Sequence, residues 1–132
     1  MGLLAGRLFG QAKVISADES WMAVESARAG FERNGLADQG EFHWTDCLEG
    51  LPPGTADLVL CNPPFHQGQT QTLAIAWRMF EQCRGCLKPS GQLLVVANRH
   101  LGHQRNLERW FARIRVVAEN PGFVVIQASG ID

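Results

Sequence analysis

Asn62-Pro63-Pro64-Phe65 is the segment whose residue types and spacing best suit chemistry on a planar amine. It directly follows an apolar run at 56–61, which is typical of a buried strand. Two consecutive prolines lack backbone N–H donors and disfavour helix ahead of them, so we expect a stiff, extended turn. Carbonyl and amide oxygens in such a turn can accept hydrogen bonds from an amino group, while Phe65 offers a flat face for stacking. An ordinary proline-rich loop is the alternative, but this combination at a strand end favours a binding turn.

Two further polar residues follow predicted strands, as Asn62 does. Asp18 follows a β-prone run at 13–17, and Asp46 follows a second run at 41–45. In an open α/β sheet, ligands bind at the carboxyl ends of the strands, and an acidic residue there commonly accepts hydrogen bonds from ribose hydroxyls. A second carboxylate one strand away can accept from an adenine amino group. A helix N-cap at Asp18 and a turn residue at Asp46 are the alternatives, but the coincidence of three such strand ends favours a nucleotide site.

Strand-like and helix-like segments alternate along the chain, which predicts an α/β sheet with mainly parallel strands and helices on both faces. The predicted strands cover 13–17, 41–45, 56–61 and 92–97, and a C-terminal hairpin turns at Asn120-Pro121-Gly122. The predicted helices run from Asp18-Glu19-Ser20 to Asn34-Gly35, over 73–87, and through Leu107, Trp110, Phe111 and Ile114, with a turn at 88–91 before the fourth strand.

The length and composition are those of one globular domain. The chain has 132 residues, of which 45% are hydrophobic and 19% charged. No apolar run reaches the length of a membrane span, and the apolar start of the chain lacks the basic region of a signal peptide. We therefore expect a single domain over 1–132, no membrane partner and a cytoplasmic location.

Charge is distributed unevenly along the chain. The formal net charge of −1 argues against a generic nucleic-acid binder. Residues 1–76 carry four Lys/Arg against nine Asp/Glu, whereas 77–132 carry eight against four. The basic residues cluster in one short stretch: Arg99, Arg105, Arg109, Arg113 and Arg115, with His100 and His103. Two interpretations are open, a solvated basic helix face or a phosphate-contacting patch beside the Asn62 turn.

The cysteines do not have the pattern of a metal or redox site. A zinc site would need a second ligand pair at matching spacing, and a redox motif would need the pair at a helix start after a strand. Neither context accompanies Cys83-Arg84-Gly85-Cys86 or His100-Leu101-Gly102-His103. We expect small buried thiols at Cys47, Cys61, Cys83 and Cys86, and no metal.

Two longer segments carry a resemblance to a known family. Leu60-Cys61-Asn62-Pro63-Pro64-Phe65-His66-Gln67 and Val96-Ala97-Asn98-Arg99-His100-Leu101 resemble the ribosomal RNA guanine-N2 methyltransferases, the 23S enzymes more closely than the 16S enzymes. These belong to the class I S-adenosylmethionine-dependent methyltransferases. The similarity extends from Gln11-Ala12-Lys13-Val14 to Phe123-Val124-Val125. It implies a Rossmann-like sheet, S-adenosylmethionine as cofactor and ribosomal RNA as partner.

The resemblance also implies roles for individual residues. Asn62 and the Pro63 carbonyl would accept hydrogen bonds from the guanine N2 amino group, and Phe65 would stack on a guanine taken out of its helix or loop. With Pro64 these residues would make up the catalytic turn. The implied cofactor contacts are Asp18 to the ribose, Asp46 to the adenine and Gly2 in the glycine-rich loop, and the implied substrate contacts are Phe65, His66 and Arg99.

The chain departs from the family pattern at its start. In the family the first strand ends in a glycine-rich loop that surrounds the methionine part of the cofactor, and Gly2 matches only the last glycine of that loop. We therefore expect a partial methyltransferase domain that lacks the first strand and most of the loop, with weak or no cofactor binding. The absent strand would leave strand edges unpaired, which predicts self-association through them.

Two alternatives to this function remain open at this point. The turn signature is shared by adenine-N6 and protein-glutamine methyltransferases. A different class of protein, a non-catalytic α/β module that binds RNA or a partner protein through the basic stretch 99–115, is also compatible with the sequence.

Overall fold

The computed structural model describes residues 2–64 and 69–131, without the side chains of 69–72. The chain divides into two compact units, residues 1–50 and 51–132. Each unit contains its own parallel strand pair and its own helices. The chain is thus built from alternating strands and helices, as predicted, whereas the single domain over 1–132 stays a prediction.

The first unit consists of a two-stranded parallel sheet and two helices. Its elements are α1 (Gly2–Leu8), β1 (Val14–Asp18), α2 (Trp21–Arg33), a 3₁₀ turn (Ala37–Gln39) and β2 (Gly40–Trp44). Strands β1 and β2 pair in parallel, with Asp18 opposite Trp44. Both strands lie within one residue of their predicted positions, while α1 was not predicted.

Helix α2 begins and ends where the local sequence requires it. The Ser20 hydroxyl oxygen accepts a hydrogen bond from the Ala23 N–H at 3.2 Å, which satisfies one of the unpaired donors of the first turn. The helix ends at Arg33, Asn34 is its C-cap, and Gly35 follows in the left-handed conformation with φ of +69°. Phe31 is buried on its inner face and packs edge to face on Phe42 of β2, with ring centroids 5.3 Å apart. This contact fastens the helix to the sheet.

The second unit contains a four-stranded sheet. Its elements are β3 (Ala56–Cys61), α3 (Gln69–Cys86), β4 (Leu87–Asn98), a 3₁₀ turn (Arg99–Leu101), α4 (His103–Leu107), β5 (Arg113–Glu119) and β6 (Phe123–Ser129). The strand order is β3-β4-β6-β5, with β3 and β4 parallel and the other two pairs antiparallel. The predicted C-terminal hairpin is therefore confirmed. Its turn is held by Asn120, whose side-chain oxygen accepts from the N–H groups of Gly122 at 2.9 Å and Phe123 at 2.7 Å.

The core of the second unit lies between α3, α4 and one face of its sheet. The helix predicted over 73–87 is confirmed as α3, and Ala76, Phe80 and Cys83 are buried at the predicted spacing. Of the other predicted positions, Trp77 is exposed and Leu87 begins β4. The sheet supplies alternate residues of β4 and β6, and α4 with its following turn supplies two more: Leu93, Val95, Ala97, Val124, Ile126, Ala128, Leu107 and Phe111.

Two predicted boundaries are wrong. The helix predicted through Ile114 ends at Leu107, and Ile114 belongs to β5, opposite Ala128. Pairing with β6 determines the structure there, because the spacing of apolar residues cannot distinguish a short helix followed by a strand from a longer helix. Residues 88–91, predicted as a turn, lie within β4.

Gly91 explains how β4 accommodates its irregular start. A Cβ at Gly91 would lie 2.9 Å from the Lys88 carbonyl oxygen and 3.0 Å from that of Ala56. The pairing of β3 and β4 shifts register at this level, between Ala56 and Leu58. Only glycine fits such a close approach of two backbones.

Within the described part of the chain, no helix is long and apolar enough to cross a membrane.

Candidate active site

The Asn62 turn follows the carboxyl end of a parallel strand. Cys61, the last residue of β3, is buried and lies opposite Val95 of β4. Directly after it Asn62 is exposed, while the Pro63 side chain is fully buried. A buried proline with a fixed φ anchors the turn and leaves the Asn62 amide accessible at the edge of the sheet.

Two of the predicted site residues cannot be placed. Phe65 and His66 lie outside the described residues. The roles of the other members of the catalytic turn, Asn62, Pro63 and Pro64, stay predictions, since position alone does not assign them.

Asn98 lies at the same edge of the sheet, and the sequence analysis did not name it as a candidate. It ends β4, the strand next to β3, at the same edge of the sheet as Asn62, because β3 and β4 are parallel. Its side-chain oxygen accepts from the His100 N–H at 2.9 Å and so caps the 3₁₀ turn that follows. The available signal was the same as for Asp18 and Asn62, a polar residue at the end of an apolar strand.

Arg99 lies at this edge as well. Its backbone N–H donates to the Gly122 carbonyl at 3.1 Å, which ties the end of β4 to the hairpin turn. Its guanidinium is 3.7 Å from a carboxylate oxygen of Glu119, and both side chains are half exposed, so the ion pair contributes little to stability. The guanidinium therefore remains accessible to a ligand.

Two of the other arginines do not lie beside the Asn62 turn. Arg113 and Arg115 begin β5, opposite Ser129 and Gln127, toward the far end of the sheet from Asn62. Both are tied to β6, with hydrogen bonds of 3.4 Å from Arg113 to Ser129 and 2.8 Å from Arg115 to Gln127. The stretch 99–115 is thus neither one helix face nor one patch, because it spans a 3₁₀ turn, α4 and β5.

In the first unit, the two predicted aspartates lie at the carboxyl edge of the parallel pair. Asp18 ends β1, and its backbone carbonyl accepts from the Thr45 N–H at 3.0 Å, one residue before Asp46. The side chain of Asp18 accepts from the Ser20 N–H at 2.8 Å. Asp18 is therefore not the helix N-cap, which is Ser20. Asp46 is exposed, and its backbone carbonyl accepts from the Glu49 N–H at 3.1 Å, so it does begin a turn.

Gly2 begins α1 where the helix comes close to β1. A Cβ added at Gly2 would lie 3.3 Å from Val14 and 3.4 Å from the Ser16 hydroxyl. This tight approach is a physical reason for glycine at the position, whereas its contact with a cofactor stays a prediction.

Trp44 is a further residue at the aspartate edge that the sequence analysis did not consider. Its side chain is 68% exposed, which is unusual for an indole, and its ring N–H donates to the Glu19 carbonyl at 2.9 Å. The hydrogen bond holds the ring beside the end of β1, where Asp18 lies opposite Trp44 in the strand pairing. An exposed aromatic face next to a carboxylate suits a nucleoside.

Three ionisable groups have perturbed pKa values, and none of them is a predicted site residue. Hydrogen bonds from Lys13 and from His43, each at 2.6 Å, lower the pKa of the Glu41 carboxyl. Glu41 lies near the start of β2, at the opposite end from Asp46. Burial raises the pKa of the Cys86 thiol and lowers that of His103.

The prediction of buried thiols is confirmed for Cys61, Cys83 and Cys86, whereas Cys47 is half buried with φ of +53°. Across residues 2–64 and 69–131, no cluster of three or more His, Cys, Asp or Glu side chains could hold a metal ion. That the protein uses no metal stays a prediction.

The alternation of parallel strands and helices, with polar residues at the strand ends, defines an open α/β fold. Solved structures share this fold. One is the T. thermophilus 16S rRNA N2 G1207 methyltransferase RsmC in complex with AdoMet and guanosine, with a TM-score of 0.77 and 24% identity over 90% of this chain and 32% of that one. Another is the ribosomal protein L11 methylase of Lactobacillus delbrueckii subsp. bulgaricus, with a TM-score of 0.74 and 16% identity. That match covers 97% of this chain and 63% of the methylase chain. At these identities the likeness concerns the fold alone.

The chain belongs to the methyltransferase small domain family, whose model matches residues 1–127. Among curated relatives, the ribosomal RNA large subunit methyltransferase G of Shewanella amazonensis is 49% identical over 131 residues, and that of Shewanella oneidensis is 48% identical over 130. Each match covers 97% of this chain and 34% of the relative. The chain therefore spans about a third of the length of these relatives.

Proposed function

We propose that this chain forms part of an enzyme that methylates the exocyclic N2 amino group of a guanine in ribosomal RNA, with 23S favoured over 16S. The observation that carries the proposal is the turn after β3, where the exposed Asn62 is followed by a buried Pro63. The chain that contains this turn belongs to a methyltransferase family. The names of the curated relatives support the large subunit. A cytoplasmic location, where ribosomal RNA is present, belongs to the same proposal.

Asn62 and Pro63 orient the amine in this proposal. The N2 lone pair of guanine is delocalised into the ring, which makes the nitrogen a poor nucleophile. Hydrogen bonds from the amino group to the Asn62 side-chain oxygen and the Pro63 carbonyl draw the nitrogen toward tetrahedral geometry and localise the lone pair for in-line attack. Proline favours this arrangement because the ring fixes φ of Pro63 and the following Pro64 restricts its ψ, so the carbonyl is held in place without reorganisation.

The described residues fit S-adenosylmethionine, which when bound supplies an electrophilic methyl group on a positively charged sulfur. Asp18 and Asp46 are exposed carboxylates at the ends of neighbouring parallel strands, and carboxylates are the acceptors that ribose hydroxyls and an adenine amino group require. Trp44 adds an exposed aromatic face at the same edge. Gly2 permits the close approach of α1 to this strand pair.

Three further residues contact the RNA substrate in this proposal. Phe65 would stack on the guanine, and His66 and Arg99 would contact the RNA around it. Arg99 has the exposure that this role needs, and it lies at the same sheet edge as Asn62. Self-association is not required for any of these roles.

A chimera tests the proposed function. The corresponding third of the Shewanella amazonensis relative is replaced by this chain, and the product is supplied with tritiated S-adenosylmethionine and deproteinised 23S or 16S rRNA. We expect N2-methylguanosine in the 23S digest. Asn62→Ala should lower the rate by about 100-fold or more, since it removes an orienting acceptor. Asn34→Ala, at the end of α2, is the matched control and should retain the rate.

The label also separates the alternatives. Methylated adenine or methylated protein in place of methylated guanine would contradict the assignment and favour the adenine-N6 or protein-glutamine reaction. RNA binding without any methyl transfer, unchanged in Asn62→Ala, would favour the non-catalytic module.

A further inference from the structure

Trp77, Arg109 and Trp110 form an exposed cation–π cluster in the second unit. The Arg109 guanidinium carbon lies 4.9 Å from the ring centroid of Trp77 and 5.7 Å from that of Trp110. Trp77 projects from α3 with 38% of its surface exposed, Arg109 is exposed, and Trp110 is half buried. We call these three residues the Trp77 cluster.

The turn that carries Arg109 is held by other contacts. The Arg84 side chain donates to the Trp110 carbonyl at 3.1 Å and to the Ile131 carbonyl at 3.1 Å. The Trp110 ring also packs against Phe80, with centroids 6.4 Å apart. Arg109 is therefore not needed to anchor the turn, and it forms no ion pair with any carboxylate of the described residues.

We propose that the Trp77 cluster binds single-stranded RNA beside the target nucleotide, with a base on the Trp77 indole and a phosphate on Arg109. Arg105 on α4 and Arg109 in the turn after it stand against one acidic residue of this segment, Glu108, so the segment has a surplus of positive charge for a polyanion. Exposed aromatic rings next to cations bind unpaired bases by stacking, whereas bases inside a duplex offer no free face. Arg105, also exposed on α4, can contact a neighbouring phosphate.

The position of the cluster is compatible with RNA that flanks the Asn62 turn. Helix α3 begins at Gln69, five residues after Pro64, and Trp77 lies eight residues further along it. Eight residues of α-helix span about 12 Å. Trp77 therefore lies about 12 Å along α3 from the start of the helix that follows the Asn62 turn in the chain. The inference rests on the proposed function only in the choice of RNA as ligand.

Binding of a labelled single-stranded RNA to the chain, followed by fluorescence anisotropy, tests the inference. Trp77→Ala and Arg109→Gln should each weaken binding about 5- to 10-fold, in the range of one lost base stack. Arg109→Gln should also reduce the slope of log affinity against log salt by about 0.7, the value for one phosphate contact to a single strand. The variants must keep the wild-type circular dichroism spectrum and thermal midpoint.

The first unit offers matched controls. Arg28 lies 5.0 Å from the Phe42 ring centroid and so makes a cation–π contact of the same kind, and Trp21 is 57% exposed. Arg28→Gln removes the same charge as Arg109→Gln, and Trp21→Ala removes the same ring type as Trp77→Ala. Both controls should leave the RNA affinity within about twofold of wild type, since an exposed cation–π pair outside the RNA-binding surface contributes little free energy.

Tryptophan emission gives an independent readout. In the double variant Trp21→Phe, Trp44→Phe, only Trp77 and Trp110 remain of the four tryptophans. Single-stranded RNA should quench this emission, and duplex RNA of the same sequence should not, because stacking needs an unpaired base.

The outcomes separate this inference from the proposed function. Three results would overturn the inference: unchanged affinity in Trp77→Ala and Arg109→Gln, equal quenching by duplex RNA, or no RNA binding by the chain. None of them would change what guanine methylation by the chimera says about the proposed function. Cluster-dependent RNA binding without guanine methylation would support the inference and contradict the proposed function.

Discussion

His103 is a histidine in an apolar setting. Its side chain is 2% exposed, and its ring packs edge to face on Phe80 with centroids 5.4 Å apart. Neither ring nitrogen has a hydrogen-bond partner in the described structure. Burial lowers the pKa of His103, because the charged ring would lose its hydration without gaining a partner.

This environment predicts a loss of stability in acid. A lowered pKa in the native state means that the unfolded chain binds the proton first, so the free energy of unfolding falls as the pH drops below about 6.5, the ordinary histidine value. His103→Phe should remove this part of the pH dependence. At neutral pH it should raise the free energy of unfolding by about 1 kcal/mol, because two unsatisfied polar atoms are lost. Urea unfolding at several pH values between 7.5 and 5.5 measures both effects.

His100→Gln provides the control for this prediction. It replaces an exposed histidine three residues earlier and keeps His103, so the loss of stability in acid should persist in it. A wild-type pH dependence in His103→Phe would show that His103 does not control the acid response.

At the scale of the element, α2 connects the end of β1 to the body of the first unit. Its start is determined by Asp18 and Ser20 together, since the Asp18 side chain accepts from the Ser20 N–H and the Ser20 hydroxyl accepts from the Ala23 N–H. The proposed cofactor edge and the helix start therefore share one hydrogen-bonded turn. A change in the cap is expected to affect the position of Asp18 as well as the helix.

Two serines of this helix predict opposite effects. Ser20→Ala removes the N-cap and should lower the free energy of unfolding by about 1 kcal/mol. Ser26→Ala changes an exposed mid-helix residue and should raise it by a few tenths of a kcal/mol at most, about the difference in helix propensity. Urea unfolding followed by circular dichroism compares the two variants. A smaller loss in Ser20→Ala than in Ser26→Ala would contradict the capping role.

The elements also show which parts of the secondary structure the local sequence predicts. Strands β1, β2 and β3 and helix α2 lie within about one residue of prediction, because their local signals are complete. Each strand is a β-prone run followed by polar residues or proline, and α2 has its Ser20 cap and a glycine, Gly35, after its end. Helix α1 was missed, and α4 lies at 103–107, earlier in the chain than the helix predicted through 107–114. Both are short, and helices of five to seven residues depend on tertiary contacts more than on propensity.

At the scale of the whole molecule, an unpaired edge of the four-stranded sheet predicts that the chain associates with itself. Strand β3 pairs with β4 on one side, and no strand of the described residues pairs with its other side. Leu58, in the middle of this edge strand, is 40% exposed. An apolar, unpaired edge is a template for another chain.

Sedimentation over a range of concentrations tests this prediction. We expect the average mass of the wild-type chain to rise with concentration. Leu58→Lys should shift the equilibrium toward monomer, because a charged residue on an edge strand opposes pairing. Leu4→Lys, at a 62% exposed leucine of α1, is the matched control and should behave as wild type. A monomeric mass for the wild-type chain at all concentrations would contradict the prediction.

The sequence by itself determined the features that depend on neighbours in the chain. The stiff turn at Asn62 follows from two prolines after an apolar run, and Asp18 and Asp46 were recognised because each directly follows a predicted strand. Only the tertiary structure decided what depends on residues distant in sequence. Strand pairing placed Asn98 at the same edge as Asn62 and carried Arg113 and Arg115 toward the far end of the sheet. Packing of α3 against the turn after α4 brought Trp77 to Arg109, a contact that no local pattern encodes because it joins residues 32 positions apart.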